Sequence, residues 1–303
     1  MVRTSLLSDQ DLSALYRLAD ELSGRGQKRT KNLVRLELTS LVVAALFGVT
    51  SFRVGPADLD LLSVVSAVAF IVALGLTVVR SMQKPEEAWY VGRAAAESVR
   101  TLAWRFALGG DPFPLTLSPT VAVTRFLARL KEILDELEQS ELPTAPVAAD
   151  DITTKMTALR LADLATRKDA YEHDRINDQL RWYNSRAGGH AKKAKTWFIV
   201  TVGASVLGIV AAGIKFVGVW DVDMLGVFGA VASAAIAWNQ LNQHRNQVSA
   251  YTLTAQDLRL IRAQIAIVDD AQWPTFVSDS EDAISREHTL WLARRGHPGL
   301  ARR

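Results

Sequence analysis

The side chains best able to do chemistry in this sequence are scattered. His173, His190, His244, His288 and His297 nowhere stand three or four apart, the spacing that brings two imidazoles to one helix face as a metal pair, and each is expected as a solvated helix residue. The chain has no cysteine, which removes disulfides, thiolate nucleophiles and Cys-ligated metals together. Gly203, Gly208 and Gly213 fall inside an apolar run, where a phosphate-cradling loop has no place. No convergent set of acid, base and nucleophile emerges, so the sequence predicts neither an enzyme nor a bound cofactor or metal. What is left is weakly polar. Thr201 and Ser205, one helical turn apart, and Ser233 are candidate pore-lining residues of a narrow, mainly apolar conduit gated by dewetting. The same hydroxyls, like those of Ser40, Ser63 and Ser66, have the alternative of bonding back to their own helix or across to a neighbour. Two stripes of small residues four apart are candidate helix-packing faces: Ala204, Gly208 and Ala212, and Gly226, Ala230 and Ala234.

The elements that must carry these residues are apolar helices. Hydrophobic residues make up 49% of the chain and charged residues 22%, an ordinary mixture until their distribution is considered. Four runs are nearly uninterrupted: Leu38 to Phe52, Leu61 to Val79, Trp197 to Ile214 and Met224 to Ala237. A bilayer core of about 30 Å needs roughly 20 apolar residues at 1.5 Å each, which the second and third runs meet as they stand. Leu33, Val34 and Leu36 extend the first, with Arg35 and Glu37 able to reach for the headgroups, and Val222, Trp238 and Leu241 extend the fourth. Each short run is joined to a long one by a turn-like connector, so two membrane hairpins are expected. No ionisable group lies deep in any run, which argues against ion-coupled transport. The N-terminal segment Met1 to Gln10 lacks the pattern of a signal peptide, so the first run is expected to be retained.

Charge sets the expected orientation. Arg25, Lys28, Arg29, Lys31 and Arg35 precede the first span, Arg80 and Lys84 follow the second, Lys192, Lys193 and Lys195 precede the third, and Arg245 follows the fourth. The connectors hold only Arg53 and Lys215, against Asp58, Asp60, Asp221 and Asp223. The positive-inside tendency places both termini and the middle segment in the cytoplasm. A net charge of +3, gathered beside apolar runs, suggests lipid headgroups and is too small to suggest a nucleic-acid binder, so no nucleic-acid partner is expected. Outside the runs the apolar residues keep helical periodicity over Glu86 to Leu108, Pro119 to Leu142, Lys155 to Lys195 and Leu241 to Val268. Leu127, Leu130, Leu134 and Leu137 make the second of these heptad-like, a helix that needs a partner. A last helix is expected from a Ser280 cap to Arg294. The predicted fold is therefore all-α, a polytopic membrane protein with two transmembrane helical hairpins and long cytoplasmic helices. Proline and glycine breaks divide it into a first module over 1–115, with spans at about 36–53 and 60–80, a heptad-like helix and linker over 116–154, and a second module over 155–303, with spans at about 196–215 and 222–241.

The segments flanking the runs carry a family pattern. Ala14 to Ser23 (ALYRLADELS) with Gly26-Gln27, and Lys84-Pro85-Glu86-Glu87-Ala88-Trp89-Tyr90 continued by Arg93, Glu97 and Trp104, resemble one branch of the SLATT proteins. Arg175 with Trp182 and Tyr183, and Ser285 to Arg294 containing Glu287 and Trp291, resemble a second branch. The resemblance covers most of the chain and implies two two-span modules in tandem, acting as a membrane effector of a bacterial conflict or anti-phage system. It further implies a pore-forming activity in the bacterial inner membrane, a homo-oligomer, and a nucleotide-sensing or nucleotide-generating partner protein. The alternative is a non-conducting membrane scaffold that docks a cytoplasmic partner. Trp89, Tyr90, Arg93, Glu97, Trp104, Arg175, Trp182, Tyr183, Glu287 and Trp291 are the residues on which the resemblance rests, with packing between helices or effector sensing as their roles.

Overall fold

The computed structural model describes residues 5–54, 59–139, 151–220 and 222–294, and of residues 139 and 286–294 the backbone alone. The candidate residues Glu287 and Trp291 therefore sit on a described helix while their side chains lie outside the described residues, as does His288; His297, Asp58 and Asp221 lie outside altogether. Among the described residues there are ten α-helices: α1 (Ala14–Phe47), α2 (Leu61–Gln83), α3 (Pro85–Leu108), α4 (Pro119–Gln139), α5 (Thr154–Leu161), α6 (Leu164–Ala170), α7 (Asn177–Phe216), α8 (Met224–Asn242), α9 (His244–Ile265) and α10 (Trp273–Arg294). The strands β1 (Arg53–Val54) and β2 (Leu59–Asp60) form a two-residue antiparallel ladder, Arg53 opposite Asp60. The fold is all-α and that of a membrane protein.

Local chemistry fixes the helix ends. The Asp60 carboxylate caps α2 by accepting from the Leu62 and Ser63 amides. Lys84 ends α2 in the left-handed region (φ 41°) because the proline at 85 bars its predecessor from continuing the helix, and that proline then opens α3. Two expected helices change shape. The single helix predicted from Lys155 is divided into α5, α6, a π-helical turn over Tyr171–Ile176, and α7, because Asp163 takes the Thr166 amide (2.7 Å) and caps a new helix. The last helix begins at Trp273 rather than at Ser280; Asp269 accepts from the Gln272 amide (2.8 Å) and starts the helix a full two turns earlier, leaving Ser280 and Glu281 buried in its interior.

The chain divides into two compact units. One, here the polar unit, comprises Met1–Gln27, Glu86–Arg186 and Ser249–Arg303. Its core is aromatic and arginine-rich. Phe106, Phe113 and Phe126 stack with ring centroids 4.8 to 6.0 Å apart, so α4 finds its partner through Phe126, Leu130 and Leu137. The last carbonyls of α3 have no helical partner of their own. Arg160 donates to Phe106 O (2.9 Å), and both Arg167 and the Trp273 indole donate to Leu108 O (2.9 Å each), so cations meet the negative end of that helix. Gly92 marks a close crossing of α1 and α3, since a Cβ there would lie 2.7 Å from the Ser23 amide nitrogen.

The other, the apolar unit, comprises Lys28–Pro85 and Ala187–Val248. It holds the distal part of α1 with α2 as one hairpin, joined by a Ser66 hydroxyl that donates to Ala44 O (2.8 Å), and the distal part of α7 with α8 as the other. Among the described residues three helical stretches, Leu61–Leu108, Leu164–Phe216 and Met224–Ile265, are long and apolar enough to cross a membrane. The first expected span is not among them. Its helix ends at Phe47, short of residue 53, because Gly48 closes the last turn onto Ala44 O (3.0 Å) and the chain then turns into β1.

Candidate functional site

The candidate membrane residues gather on the second hairpin. Thr201 donates to Trp197 O and Ser205 to Thr201 O, 2.9 Å in each case, so both hydroxyls are satisfied within their own helix and add little polarity to the surface they border. Ser233 on α8 is exposed. Ala204 and Gly208 are buried, and a Cβ on Gly208 would lie 3.3 Å from the Leu225 side chain and 3.4 Å from Phe228, so the stripe with Ala212 faces α8 within the hairpin. The second stripe is placed otherwise: nothing approaches Gly226 within 4 Å, Ala230 and Ala234 are half-buried, and α8 buries Val227, Ala232 and Ala235 instead.

The family-pattern residues line the polar unit. Trp89 and Tyr90 are buried on α3, where the Ser23 hydroxyl donates to Trp89 O (3.1 Å). Arg93 and Glu97 are half-buried on the same helix. Trp104 packs on Tyr171, and Tyr171 on Trp273, with centroids 6.0 Å apart in each pair. Trp182 and Tyr183 close around Tyr251, and Arg186 stacks 5.4 Å over the Trp182 ring. Arg175 forms the most enclosed contact of the set. Its guanidinium grips Glu281 at both oxygens (3.0 and 2.7 Å), with side-chain exposures of 2% and 0%, while the Tyr171 hydroxyl donates to the same carboxylate (3.1 Å). Burial pushes the guanidinium toward neutrality, and the Glu281 charge more than reverses this and holds it protonated. Burial, helped by the Glu281 charge, raises the Tyr171 phenol well above its usual range and keeps it a donor.

Three groups escaped sequence reasoning. Glu281 was legible only as an acid near a helix start, since its partner lies 106 residues away. Arg100, itself largely enclosed, joins Glu97 (2.7 Å), the Tyr16 hydroxyl and the exposed Asp9 (2.6 Å) in a second network, assembled from two separate stretches of chain. Histidines expected to be solvated proved to be paired: His190 and His244 meet Nδ1 to Nδ1 at 3.0 Å, and His244 is 3% exposed. The physical reason is the left-handed Gln243 (φ 46°), which breaks α8 from α9 and turns His244 inward. Glu37, expected to reach for headgroups, instead accepts from the Thr77 hydroxyl (2.9 Å) and pairs with Arg80 (3.4 Å). Both its partners lie on α2, forming a clasp at the base of the first hairpin.

Exposed apolar helices, two hairpins and an enclosed polar unit define a polytopic helical membrane protein. Residues 13–168 match the model of the SMODS and SLOG-associating 2TM effector domain 3, and residues 171–291 that of the SMODS and SLOG-associating 2TM effector domain 1. The chain belongs to this family, SLATT, with two of its domains in tandem, and its domains are membrane effector domains of conflict systems. Neither a curated protein nor a solved structure matches it.

Proposed function

We propose that this chain is the pore-forming effector of a bacterial anti-phage system, a homo-oligomer that permeabilises the inner membrane when its polar unit is released by a nucleotide-sensing or nucleotide-generating partner. One observation carries the reading. In the most apolar stretches of α2 and α7 only 11% of residues are buried within the chain, so these helices present apolar faces to lipid or to further copies. With Thr201 and Ser205 bonded to their own helix, a conduit lined by them and by Ser233 would be nearly apolar and would close by dewetting. In this reading the two modules keep the boundaries 1–115 and 155–303, the distal part of α1 crosses as a fourth span, and both termini face the cytoplasm. A leakage assay tests it: protein reconstituted in dye-loaded liposomes releases dye once its partner or signalling nucleotide is added. Inserted, oligomeric protein that never leaks under those conditions returns the function to a non-conducting scaffold.

A further inference from the structure

The apolar unit ends in a concentration of positive charge. Segments 28–37, 80–84, 190–195 and 244–248 hold ten Lys and Arg and a single acid, Glu37, which is committed to Thr77 and Arg80. Three of these cations lie at, or one helical turn beyond, a pair of tryptophans. Trp197 opens the apolar stretch of α7 and Trp238 closes that of α8, their centroids 6.2 Å apart, and aromatic rings in such positions sit at the membrane–water boundary. The Arg35 guanidinium, arriving from α1, lies 5.5 Å from the centre of the Trp238 ring. Lys31 stands one turn before Arg35, and Lys193 one turn before Trp197.

We propose that this basic end is a binding surface for the phosphate of anionic phospholipids, with Lys31, Arg35 and Lys193 as its contacts. His244, buried and bonded to His190, has its pKa pushed down to about 4 by burial first, and then by His190, Lys193 and Lys31, so both lysines act on the same point. Lys31 from α1 and Lys193 from α7 raise the positive potential at one point, and a phosphate beside them is attracted by both. The Trp238 ring holds Arg35 at the boundary, and Lys31 and Lys193 stand one helical turn beyond the tryptophans, in the zone where a lipid carries its phosphate, a depth that favours a headgroup over a soluble anion. The surface is independent of conduction, since it requires only that the apolar unit be inserted.

Thermal unfolding of the full chain in a neutral detergent, titrated with phosphatidylglycerol or phosphatidylcholine, tests the proposal. Phosphatidylglycerol raises the midpoint, phosphatidylcholine does not, and the rise shrinks at high salt. Each cation contributes about fivefold to affinity, so Lys193→Gln alone weakens the phosphatidylglycerol response about fivefold and the combination of Lys31→Gln, Arg35→Gln and Lys193→Gln about a hundredfold. Lys215→Gln, among the connectors at the other ends of the spans, leaves the response intact. Equal responses to the two lipids, or an undiminished response in Lys193→Gln, overturn the proposal. An equal rise with soluble glycerol phosphate at the same concentration also overturns it, in favour of a soluble-anion site.

Discussion

The Arg175 guanidinium and the Glu281 carboxylate are as fully shut off from solvent as the aliphatic side chains around them, so each depends on the other for its charge. Removing one partner of such a pair leaves an uncompensated buried ion, a loss of about 3 to 5 kcal/mol, whereas replacing both with apolar residues costs far less. Glu281→Gln is therefore expected to lower the unfolding midpoint in detergent sharply, and Arg175→Leu with Glu281→Leu to recover much of it; equal damage from both would remove the pair from this role. His244 gives the chain a pH dependence of a definite sign. Its pKa lies below the ordinary 6.5 in the folded chain, at about 4, so the unfolded chain takes up this proton first. Stability from this residue is complete above about pH 6.5 and falls as the pH drops toward about 4. The unfolding midpoint should be lower at pH 5 than at pH 7.5, with a smaller difference in His244→Gln.

At the scale of elements, two glycines set how closely helices approach. In the polar unit Gly92 lets α1 and α3 cross with backbone against backbone, so Gly92→Ala forces the helices apart, at a cost of about 1 to 3 kcal/mol read as a lowered melting temperature. Within the second hairpin Gly208 faces Leu225 and Phe228, and Gly208→Leu should loosen α7 against α8 by a similar amount. Because that face is turned into the hairpin, the damage should appear in the stability of the isolated chain as well as in any assembly. An unchanged midpoint with altered oligomer size would place the stripe between copies instead. The presence and type of the helices were legible from periodicity, and so was the extent of α3, expected over Glu86 to Leu108 and found over Pro85–Leu108. The division of the Lys155 helix was not, because Asp163 reads equally well as a solvated helix residue until its carboxylate is seen to take the Thr166 amide.

For the whole molecule, the first hairpin is where sequence and structure bear hardest on each other. Its α1 arm is apolar over a shorter length than the other candidates, yet it pairs with α2 through Ser66 and the Glu37 clasp, and the family describes each domain as two-spanning. The absence of cysteine makes the crossing easy to map. A thiol introduced as Ser51→Cys should react with an impermeant reagent from outside intact spheroplasts, while one introduced as Gln10→Cys should react only after lysis. Labelling of both from the same side would remove the fourth span.

Segregation of apolar from charged residues is a one-dimensional property, and it already determined a helical membrane protein, its hairpins and the basic flanks of its spans. The family was equally legible, because its pattern is made of local segments such as Lys84 to Tyr90. Which polar groups face each other was decided by tertiary structure alone. Arg175 and Glu281, Arg100 and Asp9, and His190 and His244 come from stretches 54 to 106 residues apart, and local periodicity says which side of a helix a residue occupies but not what waits there.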